Sequence, residues 1–409
     1  MQEYINREKI KLKNFISNET QKLIQETECY VKEKPFLKPF QELVRKCSDC
    51  LDSSIEEVLE KADEYEDSFQ ISKTIKQIAD IVQFIIYFLT ECLLRQDKVD
   101  REIYHVFEWF FEQCGNKEDK KVRYIVSLGH NIAMTEFQQI LKSISAEIIY
   151  AKLFEEFNDW KFYIIYITPY SCLHTNSLNW VIFFHECGHI VDDLHGKTHS
   201  FYQDLPKWWH VLEEQANQGR LRAIEKRWVS EYTADYISTH IIGPSFVWRF
   251  VREYLDLFRI FEPSSSHPPM DKRITFLLEE LKNIGFEEES EKLKDLLEAL
   301  PLEAPSEEVS VEDNRDQIIE YYKSCLPVFN REKFEVHLKK YPLLSEKFKE
   351  EIKQKRPLIL PPSTLYTLIL FDEDIESDGK MQVFFADCIR LFIISEKFKA
   401  VFAPNPSGR

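Results

Sequence analysis

The sequence predicts a mainly α-helical protein with a small β-sheet, an α+β fold in which helices dominate. The chain has 409 residues, of which only 9 are glycine and 44% are hydrophobic. Long stretches place apolar residues at helical spacing between Lys- and Glu-rich positions, which is typical of amphipathic helices. This length and composition favour a folded protein of two or three domains.

The N-terminal region, residues 1–116, is predicted to be helical. Amphipathic stretches separated by short breaks cover residues 2–31, 40–66, 72–94 and 101–114. Residues 78–94 are the most apolar, but this segment is only 17 residues long and contains Asp80, Gln83 and Glu91. Because a membrane span needs about 20 nearly uncharged residues, we expect a buried core helix here and no membrane span.

Residues 117–300 are predicted to form the central domain. Within it, residues 133–157 favour a helix, and residues 162–168 are rich in β-branched and aromatic side chains, which predicts a strand that ends before Pro169. Such a strand can be internal, or it can lie at a sheet edge and bind an extended peptide through its main chain. The sequence leaves both alternatives open.

An apolar segment over residues 180–194 contains a His-Glu-x-x-His motif, formed by His185, Glu186 and His189. Residues four apart lie on one face of a helix, so both imidazoles can point at one metal ion, with zinc as the predicted metal. Glu186 would then act as the general base on a metal-activated water. A core helix with two satisfied histidines is the alternative interpretation.

The ends of this helix and its partner helix can also be predicted. A polar residue within 175–177 is expected to cap the start of the helix, and Gly196 to end it. A second amphipathic helix is predicted over residues 222–240. In that second helix Ala234 is small, which would let the two helices approach closely.

A catalytic zinc site of this type needs a third protein ligand and an open coordination position. The preferred candidate is Glu231, because Asp235 lies four residues further along the same face of the second helix. Asp235 would accept the outer N–H of a ligand histidine and fix its tautomer. A solvated acidic face is the alternative explanation for such a pair.

Other ligand arrangements are also open. His195 stands where a metzincin has its third histidine, but Asp192 occupies the position at which that pattern needs a glycine. Asp192 or Asp193 would be the ligand in an aspartate variant. Cys172, which lies before His185 in the sequence, could reach the metal as an inhibitory thiolate, but coincidence is the favoured explanation.

Three motifs in this order resemble those of the gluzincin metallopeptidases: His185-Glu186-x-x-His189, Glu231-x-x-Ala234-Asp235 and Ser266-His267-Pro268-x-x-x-x-Arg273-Ile274. The pattern is most similar to the HtpX-like and CAAX-prenyl-protease-like group. The resemblance covers roughly the middle third of the chain. It implies a zincin-type core in which a small sheet accompanies the active-site helix.

The resemblance also implies roles for individual residues. His185, His189 and Glu231 would be the zinc ligands, Glu186 the general base and acid, and Asp235 the partner of a ligand histidine. The third motif would orient the site and stabilise the oxyanion.

His267 and Arg273 carry that third motif. Peptide hydrolysis passes through a tetrahedral oxyanion, which a cationic or N–H-donating side chain stabilises. His267, beside two prolines, fits this role, whereas Arg273 fits a structural ion pair equally well. Tyr232 and Tyr236 are alternative donors by type, but a buried helix favours packing roles for them.

Charge and cysteine content narrow the possible partners. A net charge of −17 argues against binding to nucleic acid or to an anionic membrane. The charged N-terminus does not resemble a secretory signal, and nine cysteines, an odd number, fit reduced thiols in the cytoplasm. Cys47 and Cys50 form a lone C-x-x-C, which we interpret as incidental. Proteins or peptides are the expected partners.

The remaining residues carry no recognisable chemistry. Residues 274–300 are predicted to be helical, residues 301–314 to be an acidic linker with prolines, and residues 315–409 to form a C-terminal helical region that ends in a helix over 381–402. These regions would be a lid, a recognition module or a docking surface. The predicted function is zinc-dependent hydrolysis of peptide bonds by a soluble enzyme, and the alternative is a non-catalytic or latent zinc-binding scaffold.

Overall fold

The computed structural model is mainly helical and contains one three-stranded sheet, as the sequence predicted. The structure describes residues 2–62, 68–99, 101–114, 122–129, 133–137, 161–168, 180–198, 213–257, 267–298, 311–340 and 361–370, together with positions 140, 200, 388, 391, 392 and 395. Most of the helix predicted over 381–402, apart from the helical positions 388, 391, 392 and 395, and most of the predicted linker lie outside these described residues.

One compact unit comprises residues Met1–Val99 and Lys121–Pro169. It contains three long helices, α1 (Gln2–Glu33), α2 (Lys38–Ala62) and α3 (Ser68–Leu94), which pack against one another. These bounds agree with the amphipathic stretches read from the sequence. Each helix therefore buries the apolar face that its spacing predicted.

Helix α3 contains the whole apolar stretch, residues 78–94, that the sequence analysis singled out. Gln70–Lys98 is long and apolar enough, by length and composition, to cross a membrane, and 44% of its most apolar window is buried. A core helix of a folded protein passes the same test, and α3 packs against α1 and α2. The assignment of this segment as a core helix is still a prediction.

The sheet of this unit consists of β1 (Tyr124–Leu128), β2 (Ala133–Glu136) and β3 (Tyr163–Ile167), in the order β1-β3-β2. Strand β3 runs parallel to β1 and antiparallel to β2. The strand predicted over residues 162–168 is therefore confirmed, and it is internal. Because both of its edges are paired, β3 has no free main-chain edge for a peptide.

The prediction of a helix over residues 133–157 is wrong for its first four residues. Residues 133–136 form β2, in which Met134 pairs with Ile165 and Thr135 pairs with Ile164. Pairing with a buried strand outweighs the weak helix preference of four residues. Most of the remaining predicted helix lies outside the described residues.

The second compact unit comprises residues Asp100–Lys120 and Tyr170–Arg409. Its described helices are α4 (Arg101–Gln113), α5 (Phe183–His195), α6 (Glu213–Ile242), α7 (Pro244–Leu257), α8 (Met270–Asn283), α9 (Glu287–Glu298), α10 (Glu312–Cys325), α11 (Arg331–Lys340) and α12 (Pro362–Leu370). Helix α6 packs against α5, α7, α8, α10 and α12. It is therefore the central helix of this unit.

The helix predicted over residues 274–300 is divided into α8 and α9. Gly285 adopts a left-handed conformation with φ of 86°, and its N–H donates to the carbonyl of Lys282. The N–H of Phe286 donates to the carbonyl of Leu281. This pair of bonds is a Schellman C-cap, which glycine favours, so the chain turns there before α9 begins.

Candidate metal centre

Helices α5 and α6 cross in direct backbone contact. A Cβ atom added to Gly188 of α5 would lie 2.7 Å from the carbonyl oxygen of Ala234 and 2.9 Å from its Cα atom on α6. Near this crossing the hydroxyl of Ser238 donates to the carbonyl of Phe184 at 2.7 Å. The small size of Ala234 therefore allows the close approach of the two helices that the sequence predicted. Gly188 is the residue of α5 that contacts it.

Both ends of α5 are fixed by the surrounding unit. At its start Phe184 stacks on Phe110 of α4, with ring centroids 4.9 Å apart. At its end Gly196 has φ of 64°, and its N–H donates to the carbonyl of Asp192. The predicted C-cap is confirmed. The predicted N-cap is wrong, because α5 begins at Phe183 with Ile182 as its N-cap residue, and no side chain caps this start. Positions 175–177 themselves lie outside the described residues.

The three predicted metal ligands converge. His185 Nε2 lies 3.1 Å from Glu231 Oε2 and 3.1 Å from His189 Nε2. His189 Nε2 lies 3.3 Å from Glu231 Oε1. Among the described residues these three form the group of donor atoms that can hold a metal ion. Two segments 46 positions apart in sequence have thus been brought to one point.

These separations fit a zinc ion. Zinc binds imidazole nitrogen and carboxylate oxygen at about 2.0–2.2 Å in tetrahedral geometry, so two of its ligand atoms lie roughly 3.3 Å apart. The two imidazole nitrogens lie near this separation, and each is nearest to a different oxygen of the Glu231 carboxylate, at 3.1 Å for His185 and 3.3 Å for His189. A set of two histidines and one glutamate leaves the fourth position of a tetrahedral ion open, as catalytic zinc sites require.

The outer nitrogen of each histidine also has a partner on α6. His185 Nδ1 lies 2.9 Å from Asp235 Oδ1, which is the contact that the sequence predicted. His189 Nδ1 lies 3.2 Å from the hydroxyl oxygen of Ser230. When the inner nitrogens bind a metal, the outer nitrogens carry the protons and donate to these two oxygens.

Arg273 of α8 lies behind the ligands and is fully buried. Its Nε and Nη2 atoms donate to the two carboxylate oxygens of Asp235, each at 2.8 Å, and Nη1 lies 3.0 Å from Glu231 Oε2. The guanidinium group also lies over the ring of Phe250, 4.8 Å from its centroid. Arg273 thus joins the two carboxylates of α6, which corresponds to the ion-pair alternative for this residue.

These charges make the site attractive to a cation. Burial alone would raise the pKa of Glu231, but Arg273 and the two histidines hold it well below its usual range. Burial alone would lower the pKa of His185, but Asp235 and Glu231 raise it to about 10. The carboxylates are therefore ionised, and they stabilise a positive charge at His185 Nε2.

Glu186 differs from the other two acids of the site. It lies next to His185 on α5, it is half-buried, and its carboxylate has no hydrogen-bond or ion-pair partner among the described residues. Glu231 and Asp235, by contrast, are both paired with Arg273. Among these three acids, Glu186 is the one without an ion-pair partner in the described part of the chain.

His267 lies at the accessible side of the cluster. Its Nε2 atom is 3.8 Å from Glu231 Oε1, and its side chain is 40% exposed. Burial of the rest of the ring lowers its pKa, and nearby Arg273 adds to this effect. These effects favour the neutral form of the imidazole, and solvent can reach the ring.

The alternative ligands of α5 do not join the cluster. Asp192 is buried and accepts a hydrogen bond from the hydroxyl of Tyr322 at 2.9 Å. His195 Nδ1 lies 2.9 Å from the hydroxyl of Tyr321. Both tyrosines belong to α10, so the end of α5 is attached to the C-terminal region. Cys172 lies outside the described residues.

The tyrosines of α6 have packing roles. Tyr232 is buried against Phe276, with ring centroids 5.2 Å apart. Tyr236 is buried against the ring of His240, with centroids 3.9 Å apart. These contacts agree with the interpretation of both tyrosines as core residues.

The two cysteines of the C-x-x-C pattern lie within α2. Cys47 and Cys50 are both buried, and burial raises the pKa of Cys47 well above its usual range. A buried thiol of raised pKa carries little thiolate and reacts slowly. The burial of both thiols and the raised pKa of Cys47 agree with the interpretation of the pair as incidental.

Sequence reasoning missed three features of the site. Ser230 was not recognised as a partner of His189, although it directly precedes Glu231. Gly188 was not recognised as the contact point of the two helices. The attachment of α10 was also missed, including Arg315, whose guanidinium group lies 5.3 Å from the centroid of Tyr232. The x positions of a motif and contacts distant in sequence carry no periodic signal.

Known proteins add nothing to this geometry. A scan of protein-family models, a search of curated proteins and a search of solved structures each find no match to the chain. The function must therefore be argued from the residues themselves.

The helix crossing yields a stability prediction. Gly188→Ala places a methyl group against the backbone of Ala234, so we expect a loss of about 1–3 kcal/mol in the free energy of unfolding. Chemical denaturation of both proteins measures this loss. Because the obstructing atoms are backbone atoms, adding Ala234→Gly should not restore stability. A Gly188→Ala protein as stable as wild type would contradict the close crossing.

Asp192 yields a prediction about pH. Its burial raises its pKa, against the opposing hydrogen bonds from Thr198 and Tyr322, so the folded state holds this proton more tightly than the unfolded state. The stability due to this group is present below the unfolded pKa of about 3.9 and is lost as pH rises through the folded pKa. Asp192→Asn keeps an acceptor oxygen but cannot ionise.

We therefore expect the wild-type free energy of unfolding, relative to that of Asp192→Asn, to fall as pH rises from about 4 and then to become constant. Denaturant titrations of both proteins across this range measure the difference. If the difference in free energy of unfolding between the two proteins is independent of pH, the raised pKa of Asp192 is contradicted.

Proposed function

We propose that this chain is a zinc-dependent peptidase of the gluzincin type. The observation that carries the proposal is the convergence of His185, His189 and Glu231 from two crossing helices, with donor atoms at the spacing of zinc ligands. The resemblance of the three sequence motifs to gluzincins supports it independently. The proposed substrates are proteins or peptides.

A zinc ion bound by these ligands would activate a water molecule and polarise the scissile carbonyl group. The proposed role of Glu186 is to remove the proton from the attacking water and to deliver it to the leaving amine. Its carboxylate has no partner among the residues that the structure describes, which supports this role. Asp235 and Arg273 keep the ligands in position and are not expected to exchange protons.

The proposed role of His267 is to donate an N–H to the developing oxyanion. Its partial exposure beside Glu231 supports this role, since a substrate must reach the open side of the metal site. Arg273 is fully buried and is occupied by Glu231 and Asp235. We therefore assign the oxyanion contact to His267 and a positioning role to Arg273.

The first test concerns the general base. Glu186→Gln removes the basic oxygen with almost no change in shape, so we expect wild-type zinc content and a loss of peptide cleavage. Zinc analysis and cleavage of a peptide library measure the two properties. Glu279→Gln, at an exposed position on α8, is the matched control and should cleave normally.

The outcomes of this test separate the possible functions. Cleavage retained in Glu186→Gln would refute the assigned base. Full-length wild-type protein that binds zinc but cleaves no peptide would favour a non-catalytic scaffold. Wild-type protein that binds no zinc would refute the proposal.

The second test concerns the oxyanion contact. His267→Ala should lower kcat about 10²–10³-fold, because a donor to the transition state is lost. Its zinc content and Tm should be unchanged, since the side chain is 40% exposed. His195→Ala is the matched control and should keep both zinc and kcat, because His195 contacts Tyr321. Normal kcat in His267→Ala would contradict the assignment.

A further inference from the structure

We propose that Ser230 is the positioning residue for the second ligand histidine. Its hydroxyl group fixes the ring of His189 so that Nε2 faces the metal position. This inference rests on the proposed zinc function, because it assigns a role within the same site. It adds a residue that lies outside the three sequence motifs.

The geometry of His189 supports this role. Its inner nitrogen, Nε2, lies 3.1 Å from His185 Nε2 and 3.3 Å from the carboxylate of Glu231. Its outer nitrogen, Nδ1, lies 3.2 Å from Ser230 Oγ. An imidazole that gives its Nε2 lone pair to a metal carries its proton on Nδ1, so this N–H donates to the serine oxygen.

The position of Ser230 on α6 makes this contact rigid. Ser230 directly precedes Glu231, so one turn of α6 provides a metal ligand and also the partner of another ligand. Helix α6 is in backbone contact with α5 at Gly188, next to His189. A change in the spacing of the two helices would therefore disturb both contacts of His189 at once.

The two ligand histidines are supported by different chemistry. His185 is backed by the Asp235 carboxylate, whose charge Arg273 balances. His189 is backed by a neutral hydroxyl group, which needs no second buried cation. A neutral acceptor still fixes the tautomer and the ring orientation. With a divalent ion bound, the two carboxylates and the guanidinium group give the site a net charge of +1. Because the Ser230 hydroxyl group is neutral, it leaves this charge unchanged.

The chain provides a matched control in Ser238. This serine also lies on α6 and also bonds to α5, but its hydroxyl donates to the main-chain carbonyl of Phe184 at 2.7 Å. Ser230→Ala and Ser238→Ala therefore remove the same group from the same pair of helices. Only the first change removes a bond to a ligand side chain.

The experiment compares the zinc affinity of full-length wild type, Ser230→Ala, Ser238→Ala and Ser230→Thr by competition with a chromophoric chelator. We expect Ser230→Ala to bind zinc about tenfold more weakly, as is usual when the hydrogen-bond partner of a ligand histidine is lost. Ser238→Ala should bind within about twofold of wild type, although its Tm should fall. Ser230→Thr keeps a hydroxyl group and should restore most of the affinity.

Cobalt(II) gives a second measurement that a general loss of stability would not change. The visible absorption of the cobalt-substituted protein reports the ligand geometry, so it should shift in Ser230→Ala and match wild type in Ser238→Ala. Equal zinc affinities in wild type and Ser230→Ala would overturn the inference. Equal weakening by both alanine substitutions would also overturn it.

The outcomes distinguish this inference from the proposed function. Wild-type protein that binds no zinc would refute both. Wild-type protein that binds zinc and cleaves no peptide would refute the peptidase, while the comparison of the serine variants would still decide the role of Ser230. Normal zinc binding and cleavage together with an unaffected Ser230→Ala would refute this inference alone.

Discussion

The candidate metal site depends on the backbone contact between α5 and α6. Ligand side chains from two helices can meet at 3.1–3.3 Å only if the helix axes are close, and the contact of Gly188 with Ala234 provides this closeness. Any larger side chain at the crossing would separate the axes. Since both histidines are on α5 and Glu231 is on α6, such a separation would pull the carboxylate away from the imidazoles together with Ser230 and Asp235.

The second constraint is electrostatic. Glu231 and Asp235 lie in the same buried region, and two unpaired carboxylates there would be strongly destabilising. Arg273 pairs with both, so one buried guanidinium group permits two buried acids. The remaining excess of negative charge favours a cation among the ligand nitrogens, which accounts for the raised pKa of His185. The site is thus already arranged for a positive ion before any metal binds.

Helix periodicity explains which parts of the site the sequence could predict. His185 and His189, and likewise Glu231 and Asp235, are four residues apart, so each pair had to share a helix face. Ser230 shows no such spacing, because its role depends on how α6 is rotated against α5. Strand β2 was missed for a similar reason, since its conformation comes from pairing with β3. Gly285, by contrast, is a residue type that favours a helix C-cap, and it ends α8 within the segment that was predicted as one long helix.

The C-terminal helix α10 changes how the flanking region should be understood. Its two adjacent tyrosines contact Asp192 and His195, which lie on α5 just beyond the ligand His189. Arg315, at the other end of α10, lies over Tyr232, which directly follows Glu231 on α6. One helix therefore contacts both α5 and α6 close to the candidate ligands. A segment that only carried a separate module would not need these buried contacts, so α10 belongs structurally to the unit that holds the candidate metal site.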